Sequence, residues 1–342
     1  MKILLAGSDF EYGIEQYYIK YLRQLGAEVI HYPAPDRVIQ QRSKNIISRI
    51  LFKTRMRTGY AIVNRELIRL AEENDPDVIW IFKGMEIYPS TLRHLGKKYR
   101  IANYNPDHPF IISSRGSGND NVTGSVGLYQ LHFCYNRNLQ KQIEKKYGIP
   151  TVFLPFGFEL SPEDYLTARQ EPEINRICFI GNPDRIRIHL LTLLAKNGFG
   201  VDVYGHGWDK TPLRKFPGIN ISDAVYGQGF WKRLRQYRVQ VNIFRKHNAG
   251  SHNMRSFEIP AVGGIQLAPW SEEQADFFSE GKEIFFYRDE DDLLKQVKNL
   301  LLATAETANG YREAARKRSL DAHYRYQDRA LTVYENFKIL IG

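Results

Sequence analysis

Residues 242–264 bring together small polar residues, glycines, an arginine and a glutamate. The planar guanidinium of Arg255 can hold phosphate oxygens in bidentate fashion, and a loop that leads into a helix can offer backbone N–H groups to a diphosphate. Glu258, about one helical turn further on, can accept hydrogen bonds from a ribose diol. We therefore expect a nucleoside diphosphate site here; an exposed Arg–Glu pair on a capped helix is the structural alternative.

Two earlier turns in the second half carry further candidate groups. Gly181 and Asn182 end one apolar run, and Arg185 or Arg187 could reach a phosphate from the helix that follows. His206 lies between two glycines at the end of another run, where it could donate a hydrogen bond to an oxyanion or complete a turn. The residue pattern leaves both interpretations open.

Asp107 and His108 are neighbours on a loop flanked by two prolines in the first half. A carboxylate or imidazole at this point could take a proton from an attacking hydroxyl group. The equally supported alternative is an Asx-type turn that the prolines hold in place. Lys83 and Glu86 end a preceding strand-like run.

Several common catalytic patterns are missing from the sequence. Residues 7–13 lack Gly-x-Gly-x-x-Gly, which argues against an NAD-dependent dehydrogenase, and no P-loop motif is present. No set of Cys and His residues has the spacing of a zinc site. The only two cysteines, Cys134 and Cys178, lie in apolar runs, which favours buried free thiols in a reducing compartment.

The elements that would position these residues alternate between strand and helix. In the first half, the pattern predicts strands at 2–6, 28–32, 77–82, 100–104, 131–135 and 151–154, and helices at 14–25 and 60–73. Residues 155–172 contain three prolines and several acids and are predicted as a linker. The pattern then restarts, with strands at 176–180, 200–204, 239–243 and 264–268 and helices at 185–196 and 324–341.

This alternation predicts an α/β fold with two Rossmann-like, doubly wound domains that face each other across a cleft. The predicted domains are residues 1–160 and 173–320, with residues 321–342 as a terminal helix that packs back toward the first domain. Open parallel sheets bind ligands at the carboxyl ends of their strands, so a cleft between two such ends would suit an enzyme that joins two substrates.

These motifs resemble those of the CgeB-like, spore-maturation type glycosyltransferases of the two-Rossmann-domain GT-B superfamily. In the second half the resemblance rests on residues 179–182 with Arg185, on 204–208, and on 242–243 followed by 255–264. In the first half it rests more loosely on residues 83–84, Asp107 and residues 154–157. Residues 287–289 and the basic ending near His323 also fit.

The resemblance implies hexosyl-type transfer from a nucleotide-sugar donor to a glycan or lipid-linked glycan, as in cell-surface polysaccharide synthesis. It implies that Glu258 holds the donor ribose, that Arg255 and the Gly250 loop hold the diphosphate, and that Tyr226 lies near the base. No metal or other cofactor is expected, because amides and basic side chains can neutralise the leaving diphosphate. Related retaining enzymes often carry an acid shortly before the ribose glutamate, but residues 249–251 contain none, so the stereochemistry stays open.

The predicted site has a catalytic, a donor and an acceptor part, and its catalytic residues are Asp107 and His108. The donor-binding residues are Gly181, Asn182, Arg185, His206, Gly207, Trp208, Tyr226, Gly250, Ser251, Asn253, Arg255, Phe257 and Glu258. The acceptor side comprises Gly7, Ser8, Asp9, Lys83 and Glu86. A nucleotide-sugar epimerase on the same fold is one alternative. A basic nucleic-acid-binding protein is another, but the basic stretch lacks interleaved aromatic residues, so no nucleic acid partner is expected.

The formal net charge is +10, and residues 37–57 hold seven basic residues and no acidic one. Isoleucines and a leucine recur among them at helical spacing, which predicts a basic amphipathic helix. Such a helix could lie on an anionic membrane surface or pack on the sheet of the first domain. With no long apolar run or leader pattern, we expect a cytoplasmic protein, peripheral on the inner face of the membrane in the first case.

Overall fold

The structure is a computed structural model that describes residues 1–43, 58–111, 116–245 and 250–342. It divides into unit 1, which consists of Met1–Pro155 and Tyr326–Gly342, and unit 2, which consists of Phe156–Arg325. Each unit contains one six-stranded sheet with flanking helices. The predicted fold class, two Rossmann-like α/β domains, is therefore confirmed.

The sheet of unit 1 is built from six short, mainly apolar strands. They are β1 (Lys2–Ala6), β2 (Glu28–Tyr32), β3 (Val78–Phe82), β4 (Arg100–Asn105), β5 (Leu131–Cys134) and β6 (Thr151–Phe153). All neighbours are parallel, in the order β2-β1-β3-β4-β5-β6. Helices cover both faces of such a sheet, so the central strands are continuously apolar rather than alternating, and β3 is buried at every position.

Six α-helices in the described part of unit 1 connect these strands. They are α1 (Ile14–Gln24), α2 (Ala34–Ser43), α3 (Thr58–Asn74), α4 (Pro89–Leu95), α5 (Asp120–Ser125) and α6 (Arg137–Tyr147). Asn119 and Asn136 cap α5 and α6, because each side chain accepts a hydrogen bond from the backbone N–H three residues later.

The sheet of unit 2 has the same class of topology. Its strands are β7 (Ile174–Ile180), β8 (Val201–Tyr204), β9 (Ile219–Ser222), β10 (Tyr237–Val241), β11 (Gln266–Pro269) and β12 (Phe285–Tyr287). They run parallel in the order β12-β11-β10-β7-β8-β9. The helices are α7 (Pro162–Gln170), α8 (Arg185–Lys196), α9 (Gly227–Gln236), α10 (Arg255–Ala261), α11 (Glu272–Phe277), α12 (Glu290–Leu302) and α13 (Ala305–Asp321).

The last helix of the chain, α14 (Tyr326–Ile341), belongs to unit 1. The ring of Tyr326 contacts Tyr18 of α1 with centroids 5.6 Å apart, and Phe337 contacts Trp80 of β3 at 5.4 Å. These edge-to-face contacts bury large apolar rings, so the two ends of the sequence contribute to one core.

The structure corrects the predicted linker at residues 155–172. This segment contains helix α7, which packs against α9 within unit 2. Ser161 accepts a hydrogen bond from the N–H of Asp164, and Pro162 occupies the first helical turn. Proline is favoured at that position because the first N–H groups of a helix have no partner within it, so Pro162 begins a helix rather than breaking one.

Two strands were not predicted from the sequence. They are β9, which has four residues, and β12, which has three. The basic stretch at 37–57 is described only as far as the end of α2, and the rest of it lies outside the described residues. In the described part of the chain, no helix is long and apolar enough to cross a membrane.

Candidate functional site

The strand order creates a crevice at the carboxyl end of each sheet. In unit 1 the connections diverge between β1 and β3, and in unit 2 they diverge between β7 and β10. Ligands of open α/β sheets bind at such switch points. The loops after these four strands are therefore the first places to look for functional side chains.

In unit 2, the ends of β7 and β8 approach each other closely. Gly205 has a φ of +156°, and a Cβ at this position would overlap the carbonyl oxygen of Gly181. The same oxygen accepts a hydrogen bond of 2.7 Å from Nε1 of Trp208. Trp208, a predicted donor-binding residue, has no exposed surface, and its indole fixes the strand ends from inside the core.

His206, Asn182 and Tyr226 meet on the exposed side of this turn. Oδ1 of Asn182 accepts a hydrogen bond of 3.0 Å from the backbone N–H of His206. Nε2 of His206 lies 3.3 Å from the hydroxyl of Tyr226, whose ring is 45% exposed just before α9. The turn and site interpretations of His206 are compatible, because its backbone completes the turn while its imidazole stays at the rim beside Gly207.

The two arginines at the start of α8 have different roles. Arg187 is buried and donates from Nη1 to the carbonyl of Asn182 at 2.8 Å, and from Nε and Nη2 to that of Ile243 at 3.2 and 3.1 Å. Burial lowers its pKa to about 10, and it stays charged at neutral pH. Arg187 thus ties together the loops after β7 and β10. Arg185 is exposed and has no hydrogen-bond or ion-pair partner in the described part of the chain, so it is the one available to a ligand.

Two amides hold the start of α10 against the end of β10. Nδ2 of Asn242 donates to Oδ1 of Asn253 at 3.0 Å, and Nδ2 of Asn253 donates to Oδ1 of Asn242 at 2.9 Å. Oδ1 of Asn253 also accepts from the backbone N–H of Ser256 at 3.1 Å. Asn253 therefore acts as a helix cap whose position is set by the neighbouring strand.

Arg255 and Glu258 form an ion pair on the first turn of α10. The guanidinium also lies over the ring of Phe230, with Cζ 4.4 Å from the centroid. Glu258 is buried, which raises the pKa of its carboxyl group, while the charge of Arg255 opposes the shift. Nε of Arg255 is buried and has no hydrogen-bond partner among the described residues. The pair therefore keeps an unsatisfied donor beside a carboxylate.

Two other predicted donor residues lie in the core of unit 2. Ser251 is fully buried, and its hydroxyl donates to Oε2 of Glu273 at 2.6 Å. Phe257 is fully buried among aromatic rings that include Tyr324, with centroids 5.2 Å apart. Their side chains have no exposed surface, so a donor could reach these two predicted residues only through backbone atoms. Gly250 is exposed with a φ of +76° and adjoins residues 246–249, which lie outside the described part.

A buried His–Glu pair beside this loop was not predicted from the sequence. Nδ1 of His252 lies 3.0 Å from Oε2 of Glu273, and Nε2 accepts from the backbone N–H of Phe156 at 3.4 Å. Because Nε2 accepts, the ring proton belongs on Nδ1 and points to the carboxylate. The His252–Glu273 pair anchors the loop before α10 to helix α11.

In unit 1, Lys83 and Asp107 meet at the ends of β3 and β4. Nζ of Lys83 lies 2.5 Å from Oδ2 of Asp107, and Lys83 also donates to the carbonyl of Gly116. Lys83 has a φ of +58°, an uncommon conformation for a residue with a side chain. The Asx-type turn that the sequence allowed is present, since Oδ1 of Asn105 accepts from the N–H of Asp107 at 3.0 Å.

His108 takes part in the same turn. Its Nδ1 accepts a hydrogen bond of 3.3 Å from the N–H of Phe110, and the two rings lie 5.9 Å apart, edge to face. The structure thus brings Asp107 together with Lys83, a predicted acceptor-side residue.

The loop after β1 surrounds a carboxylate that sequence reasoning missed. Oε1 of Glu15 accepts from the N–H of Ser8 at 3.2 Å, and a Cβ on Gly7 would lie 2.7 Å from Cγ of Glu15. Burial raises the pKa of Glu15 and likewise that of Glu86, and Lys83 opposes the shift at both. Asp9 turns outward, with Oδ1 3.6 Å from Nδ1 of His31. Motif reading missed Glu15 because it lies in the first turn of α1, seven residues after Ser8 and outside the loop motif.

The described residues contain no group of three or more His, Cys, Asp and Glu side chains that could hold a metal ion. Residues 185–335 match a family model described as glycosyl transferase-like. A comparison with curated proteins finds no match.

Solved structures resemble the chain along its whole length. Sucrose-phosphate synthase from Thermosynechococcus elongatus has 11% identity and a TM-score of 0.72, with 99% of each chain covered. α,α-Trehalose 6-phosphate synthase from Burkholderia multivorans has 11% identity and a TM-score of 0.68, covering 99% of this chain and 98% of that one. Anabaena HepE in complex with UDP-glucose has 12% identity and a TM-score of 0.64, with 99% and 98% covered. These similarities show a fold of the two-Rossmann-domain GT-B type.

Proposed function

We propose that this protein is a glycosyltransferase that moves a hexosyl group from a nucleotide sugar to a hydroxyl group of a glycan or lipid-linked glycan. The observation that carries the proposal is the Arg255–Glu258 pair beyond the carboxyl end of β10, within the stretch that matches the glycosyl transferase-like family. The same match favours transfer over the epimerase alternative.

The donor side offers the polar groups that a nucleoside diphosphate needs. A diphosphate oxygen would satisfy the buried Nε of Arg255, and Arg185 offers a second guanidinium without a partner in the described chain. The ribose diol would donate to Glu258, whose carboxylate Arg255 already orients. HepE has been solved with UDP and with UDP-glucose, which makes UDP-glucose the first donor to test.

On the acceptor side, we assign removal of the hydroxyl proton to Asp107. Its support is the position of Asp107 just beyond β4 and the amine of Lys83, which holds the carboxylate in one orientation. Gly7, Ser8, Asp9 and Glu86 complete the proposed acceptor side, and His108 stays a candidate for assisting Asp107.

Transfer is expected to need no metal ion, since arginines and backbone amides would neutralise the leaving diphosphate. A CgeB-like role in cell-surface polysaccharide synthesis, at the inner face of the membrane, is part of the same proposal. The net charge of +10 supports attraction to an anionic surface.

Calorimetry with UDP tests the donor site. We expect Arg255→Met and Glu258→Ala each to weaken UDP binding roughly ten- to a hundredfold, because a hydrogen bond to a charged group contributes about 1.5–3 kcal/mol. Arg288→Met is the matched control, since Arg288 is an exposed arginine of unit 2 that also pairs with a glutamate, Glu280. Unchanged affinity in both test variants would refute the assignment.

Product analysis with UDP-glucose separates transfer from epimerisation. A transferase needs an acceptor for full turnover, whereas an epimerase converts the donor alone. Turnover is expected to survive EDTA. Activity that EDTA abolishes and Mg²⁺ restores would contradict the metal-independent mechanism.

A further inference from the structure

A polar cavity lies in unit 2 among helices α7, α9 and α13. Its volume is ≈ 610 Å³, within the range of about 300–1,000 Å³ that is typical of small-molecule sites. Four of its lining residues are arginines, and we call it the arginine pocket: Arg169 of α7, Arg235 of α9, and Arg312 and Arg316 of α13. None of the residues predicted for donor binding lines it.

The arginine pocket and the predicted donor site lie at opposite ends of the unit 2 sheet. Nη2 of Arg312 donates to the carbonyl of Tyr237, the first residue of β10, at 3.3 Å. Arg255 and Glu258 come after the last residue of that strand, Val241. The strand spans about 13 Å at its usual rise per residue, so one small ligand cannot occupy both places.

Too few carboxylates neutralise the inner wall of the pocket. Glu173 pairs with both Arg312 and Arg238, so one negative charge serves two buried guanidiniums. Lys317 and Asp321 of α13 pair with each other near the rim, and Glu313 is the other carboxylate among the lining residues. Together with Glu173, these carboxylates face five basic lining residues, so a surplus of positive charge remains in the cavity.

Arg235 carries the clearest surplus charge. It is half-buried, and neither a carboxylate nor a hydrogen-bond acceptor among the described residues contacts it. Burial and then the like charge of Arg312 lower the pKa of Arg235 to about 10. The guanidinium therefore remains charged at neutral pH, and holding it there without a partner costs free energy.

The two guanidiniums that α13 contributes to the pocket, those of Arg312 and Arg316, are held in fixed positions. Arg316 lies over the ring of Tyr165, with Cζ 3.3 Å from the centroid, and its Nη1 donates to the carbonyl of Ala261 at 2.7 Å. Nε of Arg312 is buried and has no hydrogen-bond partner in the described chain. Fixed guanidiniums with unmet donors are preorganised to receive the oxygens of an anion.

We propose that the arginine pocket binds a small phosphomonoester. A carboxylate ligand would bring a single charge, whereas a phosphomonoester brings nearly two charges and three acceptor oxygens, which suits several converging guanidiniums. The volume beyond the phosphate and the ring of Tyr165 would accommodate the organic part. The proposal is independent of the proposed transferase, because the two sites share no residue.

Glycerol 3-phosphate is the soluble probe, titrated by calorimetry at constant ionic strength. The wild-type protein is expected to bind it saturably, and Arg235→Gln to weaken binding at least tenfold, the loss typical for a hydrogen bond to a charged group. Arg214→Gln, which changes an exposed arginine of the same unit outside the pocket, should bind as wild type does. UDP affinity should be equal in all three proteins, so failure of this site is distinguishable from failure of the donor site.

Thermal unfolding gives a second test. If Arg235 only stabilised the fold, its replacement would lower the melting temperature rather than raise it. Without ligand, Arg235→Gln should melt at a higher temperature than wild type, because it removes an unpaired charge. Glycerol 3-phosphate should raise the midpoints of wild type and Arg214→Gln by the same amount and that of Arg235→Gln by less. Vesicles with phosphatidic acid test a lipid source of the same phosphate: binding that needs Arg235 supports the proposal. No binding of either probe, equal binding by Arg235→Gln, or a lower melting temperature for this variant without ligand would overturn it.

Discussion

The carboxyl ends of the two sheets hold charges of opposite sign. In unit 1, the carboxylates of Glu15, Glu86 and Asp107 lie near the amine of Lys83. In unit 2, the described parts of the loops after β7 and β10 hold guanidiniums and amides near the buried Glu258. An acidic sheet end suits hydroxyl groups and protons, whereas a basic end suits a diphosphate.

The two sheet ends also differ in whether their polar groups already have hydrogen-bond partners. Asp107 is held by both Lys83 and the turn at Asn105, so its geometry is set without a ligand. Arg255 instead retains a buried donor that has no partner in the described chain. A ligand would therefore supply the missing hydrogen-bond partner at the unit 2 sheet end, whereas Asp107 at the unit 1 sheet end is held in place without a ligand.

The largest expected effect tests whether the acidic end performs the chemistry. Asp107→Asn should reduce kcat by about 10²–10⁴-fold with saturating substrates, the usual loss for a general base. Lys83→Met removes the partner but keeps the base, so it should lose less rate and shift the pH dependence of kcat. Near wild-type turnover by Asp107→Asn would remove the catalytic distinction between the two sheet ends.

An intermediate effect concerns the stability of the two units in acid. Nε2 of His132 on β5 is bonded to the carbonyl of Val126 at 2.8 Å, and burial lowers the pKa of this histidine to about 4. The unfolded chain binds the proton between that value and the ordinary pKa of about 6.5, so unit 1 loses stability as the pH falls through this window. Below this window, the free energy of unfolding would be lower by roughly 3 kcal/mol than at neutral pH.

Hydrogen exchange at pH 7 and pH 4.5 measures this effect in each unit. Amides of β5 should lose more protection in acid than those of β10, and His132→Gln should reduce the pH dependence because glutamine does not titrate in this range. Equal losses in wild type and variant would show that another group controls the acid response of unit 1.

The smallest effect tests the exposed rim of the basic end. The contact between Tyr226 and His206 is 3.3 Å long and exposed, so Tyr226→Phe should weaken UDP binding by less than about fivefold, which corresponds to about 1 kcal/mol. Tyr226→Ser also removes the ring and should weaken binding further if the base stacks on it. Identical affinities for both variants and wild type would exclude Tyr226 from the donor side.

Sequence patterns predicted the sheets well because parallel strands are buried on both faces. The run at β3 is apolar at every position and can hardly be anything else, and the strand-end rule then directed attention to Lys83 and Asp107. Their ion pair was not predictable, since spacing along the chain does not fix the direction of a side chain. The contact between Arg255 and Glu258 was predicted as the structural alternative to a ligand site, because residues three apart on a helix are neighbours.

The position of a residue within a sequence motif did not show whether its side chain points into the core or toward solvent. Trp208, Ser251 and Phe257 lie within motifs that a ligand could contact, yet each side chain points into the core. The partner that explains Ser251 is Glu273, more than twenty residues away on another helix. Such pairings depend on tertiary packing that a single sequence does not display.

The close approach of Gly205 to Gly181 restricts how this sequence can diverge. A side chain at position 205 would need both a different backbone angle and a displaced carbonyl at position 181, and that carbonyl also holds Trp208. Substitution at any one of the three sites is therefore coupled to the other two, whereas nothing lies within 4 Å of a Cβ added at Gly229 of α9. We expect homologous sequences to vary freely at position 229, and to carry substitutions at positions 181, 205 and 208 only in combination.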